Sequence, residues 1–383
     1  MRTRAGAPRV SLLVLSLIGA ASFWSTAAVE ILSAVLIATS FFHVVQARGF
    51  SPVRVRSLRP VMILWCCYVL AVGFSILLSP YQGSFAMLWH ALLLPAVCAL
   101  PEVKKELGMI STAFVVSGTV AAVTGLVTFV SGNTLSLASP FVGDTTFVCL
   151  LMLAGIASLA GIRSNLLSMV AVVCIVFAVH WSALRSPIVA LVAGGTLVLI
   201  GTRMIIPWLA VNAAAFLLGP TVLHQKFGAL MTGQPADRYT LWRRGLELLG
   251  GLPFFGYGPG SFMYLRSRHL EGQFRNAPPL SWHNDLLQTL LESGWIAGIA
   301  YGALLGILLW KSVRPLQAKQ QSTVCIIPIL FLMFFFLTLT NSVVSTAVLG
   351  VCWWILLGIL CHFIARDESN EHEKHNYSES YPG

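Results

Sequence analysis

Twelve apolar runs follow one another along this chain, each parted from the next by a polar connection. The first begins at Val10, and the others lie at 31–45, 60–78, 85–100, 107–130, 146–161, 166–181, 187–200, 205–223, 295–310, 324–340 and 347–364. No soluble core buries so many uninterrupted apolar stretches. A bilayer does, because about 20 apolar residues of helix cross it with every backbone group bonded internally. Charged residues make up only 10% of the chain, against about 25% in a soluble domain, so little is left to cover a water-facing surface. The expected fold is an all-α membrane protein of about 12 transmembrane helices. Ser25–Ala28 resembles a signal-peptidase site, but the next apolar run starts at once, which favours a retained first span.

The basic residues set the orientation. Net charge is +10, yet the lysines and arginines sit in short clusters between apolar runs, a pattern of membrane loops and not of a nucleic-acid face. With the N-terminus inside, alternate connections carry Arg48, Arg54, Arg56 and Arg59; Lys104 and Lys105; Arg163; Arg203; Lys311, Arg314 and Lys319; and Arg366. The opposite connections are 79–84, 131–145, 182–186, 224–282 and 341–346, and three of these five have no Lys or Arg. One miscounted span would invert every later loop, so the pattern supports twelve spans with both termini cytoplasmic. The chain then divides into a nine-span region (1–223), a periplasmic loop (224–282), a three-span region (283–365) and a polar tail (366–383) that reads as disordered. The eight cysteines, mostly inside apolar runs as at Cys66, Cys67 and Cys325, show no metal spacing and read as small core residues.

The two exceptions to the charge rule are the informative places. The 224–282 loop carries Lys226, Arg238, Arg243, Arg244, Arg266, Arg268 and Arg275 against Asp237, Glu247 and Glu271. Such a surplus suits an anionic partner, or a solvated loop beside lipid phosphates. Arg185 lies in a tight connection between two apolar runs, either as a snorkelling anchor or as an anion ligand whose planar fork grips phosphate oxygens. Pro187 fits the first turn of the next helix.

Within the loop, Asp237 can cap an amphipathic helix at 239–249, with Leu241, Trp242, Leu246 and Leu249 lying on the bilayer and Gly250 and Gly251 ending it. Gly256-Tyr-Gly-Pro-Gly260 permits a tight backbone, but it lacks the strand–helix setting of a dinucleotide site. Pro278-Pro279 forces an extended entry, and Ser281 can cap a helix that runs on into the 295–310 span. His283 then falls in its first turn, where the helix dipole disfavours imidazolium and leaves a neutral base, or else a structural imidazole. His43, His90 and His180 suit packing or interhelical bonds, while His269 is the rival base. No His or carboxylate pair has metal-ligand spacing.

Three stretches resemble the O-antigen ligase and polymerase superfamily. Arg238-Tyr-Thr-Leu-Trp242 followed by Pro253-Phe-Phe-Gly-Tyr-Gly-Pro-Gly-Ser-Phe262 is similar to that family's Arg…Trp…Pro-x-x-Gly-x-Gly-x-x-x-Phe run. His283-Asn-Asp-Leu-Leu…Leu291-Glu-Ser-Gly294…Gly298 is similar to its His-Asn-x-x-Leu…Glu-x-Gly-x-x-Gly run. Leu184-Arg-Ser-Pro-Ile-Val189 is similar to its Ser-Arg-Gly-Ala turn, with Leu184 and Pro187 as the departures. The resemblance implies an inner-membrane glycosyltransferase that takes its donor glycan from undecaprenyl pyrophosphate at the periplasmic face, with inversion and without metal or other cofactor. It implies His283 as the catalytic residue and Arg185 and Arg238 as pyrophosphate ligands, with Arg266 and Arg268 as further candidates. The acceptor is a lipid A–core sugar in a ligase, or a second lipid-linked repeat in a polymerase. A transporter of lipid-linked sugars would place polar residues along its spans, which here are nearly free of charge.

Overall fold

The computed structural model describes residues 6–46, 56–79, 81, 85–100, 103–131, 144–159, 166–200, 202–231, 237–270, 281–317 and 326–380. Among them the regular structure is helical throughout. The order is α1 (Gly6–Ala21), α2 (Thr26–Gln46), α3 (Arg59–Leu78), α4 (Ala86–Ala91), α5 (Leu93–Cys98), α6 (Val103–Val130), α7 (Asp144–Ser158) and α8 (Leu166–Trp181). It continues with α9 (Arg185–Leu199), α10 (Ile205–Leu217), α11 (Thr221–Met231), α12 (Asp237–Leu248), α13 (Phe262–His269), α14 (Asp285–Gln317), α15 (Ile326–Thr340) and α16 (Ala347–Ser380). The expectations for Arg48, Arg54, Arg163, Arg275, Pro278-Pro279, Lys319 and Cys325, and those for the side chains of Arg56, Lys104, Lys105, Asp237, Arg314 and Arg366, lie outside the described residues.

Each apolar run falls on helix. Among the described residues five stretches are long and apolar enough to cross a bilayer: Thr26–Val45, Arg59–Leu78, Leu107–Val130, Asp285–Ser312 and Ala347–Ala365. α10 and α11 form a sixth if the bent pair counts as one. The remaining apolar helices are shorter; α9, with 15 residues, covers about 22 Å of a hydrocarbon core of about 30 Å.

α7 lies at the centre. Every side chain from Thr146 to Ser158 is buried, as befits a helix that is apolar all round. α2 and the apolar stretch of α6 bury only 22% of theirs and turn Ile31, Phe41, Val116 and Val127 outward, which marks them as lipid-facing. Cys66 and Cys67 also face outward on α3, so they are not core residues, whereas Cys98, Cys149 and Cys361 are. His90 meets Glu30 Oε1 of α2 at 2.9 Å, and His180 bonds the Val176 carbonyl of its own helix.

Several boundaries differ from those read off the sequence. The 205–223 run is not one helix: α10 and α11 meet at 100° across Gly219-Pro220. A proline supplies no N–H and disfavours helix at the residue before it. The loop boundary at 223 therefore falls inside α11. The tail read as disordered continues α16 to Ser380. Extending a formed helix is far easier than nucleating one, and Glu368, Glu371, Glu373 and Lys374 are good helix formers.

α12 does not lie flat on its apolar face. Leu241 is buried in a second small core with Phe262, Leu265, Leu270, Trp282, Leu287 and Leu291, while Tyr239 and Leu246 are exposed. Gly245 makes this approach possible, since a Cβ there would press on Leu287 and Trp282.

Candidate active site

The α8–α9 turn begins the site. Ser182 Oγ accepts from the Leu184 N–H at 3.3 Å, and Ala183 takes a left-handed φ of 53°. α9 starts at Arg185 behind Leu184, which has no side-chain acceptor to cap it. The Arg185 and Ser186 N–H groups therefore have no side-chain cap, and Pro187 has no N–H to cap.

Arg238, near the start of α12, reaches this turn from the loop. Its Nη1 donates to Ser186 Oγ and its Nη2 to Asn341 Oδ1, both at 3.4 Å. Burial, and then the Arg185 charge, push the guanidinium below its ordinary value. Among the described residues no carboxylate pairs with Arg238 or Arg185.

His283 is fixed from several sides. The Trp282 ring before it is fully buried against Phe262, and the Trp282 carbonyl accepts from Trp242 Nε1 at 2.9 Å. The His283 N–H donates to Ser342 Oγ at 3.2 Å. Asn284 caps α14 by accepting from the Leu287 N–H at 2.9 Å, and also donates to the Leu339 carbonyl. The cap is therefore Asn284 and not Ser281. His283 stands just outside the helix with φ 51° and not in its first turn. Burial first, and the Arg238 charge second, lower its pKa to about 4. At neutral pH the imidazole is uncharged and can accept a proton.

The neighbouring carboxylates have other work. Asp285 Oδ1 accepts from the N–H groups of Val343 and Val344 at 2.8 and 3.1 Å, which anchors the 341–346 connection. Ser342 Oγ donates to Gln288 Oε1 at 2.6 Å. Glu292 Oε2 accepts from the Gly260 N–H at 2.9 Å, and its carbonyl accepts from Gly258 N–H and Ser75 Oγ. The helix does not run on into the span: Gly294 has φ 83° and breaks α14 there. A Cβ on Gly294 would overlap the Phe254 carbonyl, and one on Gly258 would overlap Ser79 Oγ. The glycine run and the Glu-x-Gly motif therefore form one clasp, closed backbone to backbone.

Arg185, Arg238 and His283 are thus gathered at one end of the bundle: Arg238 bonds Ser186 beside Arg185 and Asn341 beside Ser342, which accepts the His283 N–H. Arg266 and Arg268 lie on α13, where Arg268 stands 4.6 Å over the Tyr264 ring, itself close to Tyr81. Exposed His269 lies on the same short helix. Among the described residues no three His, Cys, Asp or Glu side chains group to hold a metal. Ser186, Asn341 and Ser342 were missed by sequence reasoning. Only the polar Asn341-Ser342 pair closing the 324–340 run hinted at them.

No curated protein matches the chain. The O-antigen ligase family model matches residues 147–302, from α7 into α14. That interval holds Arg185, Arg238, His283 and the whole glycine clasp. Over that interval the match supports the resemblance to the O-antigen ligase and polymerase superfamily.

Proposed function

We propose that this chain is a glycosyltransferase that moves a glycan from undecaprenyl pyrophosphate to a sugar hydroxyl of lipid A–core. In this reading it crosses the inner membrane twelve times with both termini in the cytoplasm, and the α8–α9 turn, α12 and the start of α14 face the periplasm. The donor's polyprenyl tail enters from the bilayer. Its diphosphate rests on the first amides of α9 between Arg185 and Arg238. The acceptor oxygen attacks the anomeric carbon with inversion while the carbon–oxygen bond to the diphosphate breaks. The bonding pair leaves on the phosphate oxygen, and the hydroxyl proton passes to a ring nitrogen of His283. The guanidinium groups stabilise the charge that develops, the role metals take in other transferases, and this reading includes no metal.

One observation carries the reading. Arg238, half-sunk and without a carboxylate, spans Ser186 of the Arg185 turn and Asn341 while its charge bears on a neutral His283. The test offers purified protein an undecaprenyl pyrophosphate-linked glycan with either lipid A–core or a second lipid-linked repeat, and identifies the product. Glycan on lipid A–core supports a ligase, and lengthened lipid-linked glycan would make it a polymerase. His283→Ala should insert normally and lose about 100–1000-fold in rate, as removal of a transition-state contact does. Wild-type rates in that variant would remove the catalytic assignment.

A further inference from the structure

The broken helix α10–α11 has no role in the reading above. Its 100° bend turns α11 out of line with α10. From α11, Lys226 Nζ donates to the Ala183 carbonyl at 3.2 Å. Ala183 is the left-handed residue of the α8–α9 turn, two positions before Arg185. Arg238 holds the same turn through Ser186. Two cations from separate helices thus grip a five-residue turn that carries a third.

Lys226 rests on a neutral oxygen, and the Arg185 charge repels it. Among the described residues no carboxylate balances Lys226, Arg185 or Arg238, in contrast to Arg243 and Arg244, which pair with Glu247. Three like charges around one turn destabilise the empty protein unless an anion joins them. The uncapped start of α9 adds its partial positive charge at the same place.

We propose that Lys226 is a third ligand of the donor's diphosphate, so that α11 forms one wall of the phosphate site. The proposal rests on the transfer reading and deepens it. A diphosphate joined at both ends bears about two negative charges, and the released monoester gains part of a further one, its last ionisation falling near pH 6. Three cations therefore suit the departing group better than the bound donor, and that difference is what raises a rate. The lysine stem is flexible and its ammonium has three donors, so it can leave the Ala183 carbonyl as charge builds.

The test compares full-length wild type, Lys226→Met, which keeps the stem without the charge, and Lys226→Arg. The readouts are transfer kinetics, inhibition by inorganic pyrophosphate and thermal unfolding. Lys226→Met should lower kcat/KM for donor and weaken pyrophosphate inhibition, each by about 10- to 100-fold, the scale of one charge-assisted hydrogen bond. The KM for acceptor should not move, and Lys226→Arg should recover much of the loss. If Lys226→Met only unfolds at lower temperature, with both constants within about twofold of wild type, the lysine merely clamps the turn and the proposal is overturned. If no preparation transfers glycan, direct binding of pyrophosphate still decides: loss in Lys226→Met keeps the anion site while the transfer reading fails. Equal binding by both, or none by wild type, ends the proposal.

Discussion

Asp285 and Glu292, near the start of α14, are buried and answered by backbone. Asp285 accepts from Val343 and Val344, and Glu292 from Gly260 with help from Gln288. Arg185, Arg238 and Lys226, at the same end of the bundle, have no such answer. Arg238 finds two neutral oxygens at 3.4 Å, Lys226 finds one carbonyl, and Arg185 has no described acceptor. A charge satisfied by its own chain is committed to holding loops together. A charge left on long neutral contacts keeps its capacity for a ligand, and it costs stability until one arrives. The carboxylates are spent on the backbone around them, and the cations are not.

The sharpest way to break this contrast is Arg238→Ala. Transfer should fall about 100–1000-fold while thermal unfolding stays near that of wild type, since long bonds to neutral oxygens add little. A large drop in unfolding temperature would make Arg238 a structural residue like the two acids.

Asp285→Ala should do the reverse. Two buried N–H groups lose their acceptor, a cost of about 2–4 kcal/mol in unfolding free energy. Asp285→Asn keeps an oxygen in place and should lose less. A stable but inactive Asp285→Ala protein would move this acid into the chemistry.

The smallest effect concerns pH. His283 titrates at about 4, below its ordinary 6.5, because it is buried and lies near Arg238. The unfolded chain then binds the proton more readily than the folded one. Stability from this group is complete above about 6.5 and lost as pH falls toward 4. The acid limb of kcat/KM should likewise lie near 4, and in the residual activity of Arg238→Gln it should move upward toward 6.5. An unmoved limb would show that burial alone sets the imidazole.

Much of the scaffold was legible because helix in a membrane is dictated locally. A run of apolar residues has no other way to satisfy its backbone in lipid, so all twelve runs are helical. Arg185 stood out from the charge pattern, and the resemblance implied roles for Arg185, Arg238 and His283. Their meeting was not derivable from it, for the turn at 182–186 and the start of α14 are about 100 residues apart. The assignment of Leu241 to the bilayer failed because amphipathicity tells that a face is buried but not against what; Phe262 and Trp282 covered it first. The 256–260 glycines were read as permitting a tight backbone, and Gly256 and Gly258 do approach their neighbours closely, but their partner at Gly294 was not legible in the spacing.

The amino-acid order alone determined the helices, their apolar character and the residue types brought to one polar segment, because each depends on neighbours within a few turns. Tertiary packing decided which charges are spent and which are free. Glu292 met Gly260, Asp285 met Val343, and Lys226 and Arg238 closed on one turn from separate helices. An ionisable group acquires its role from the partners that reach it in space, and those partners come from helices far apart in the chain.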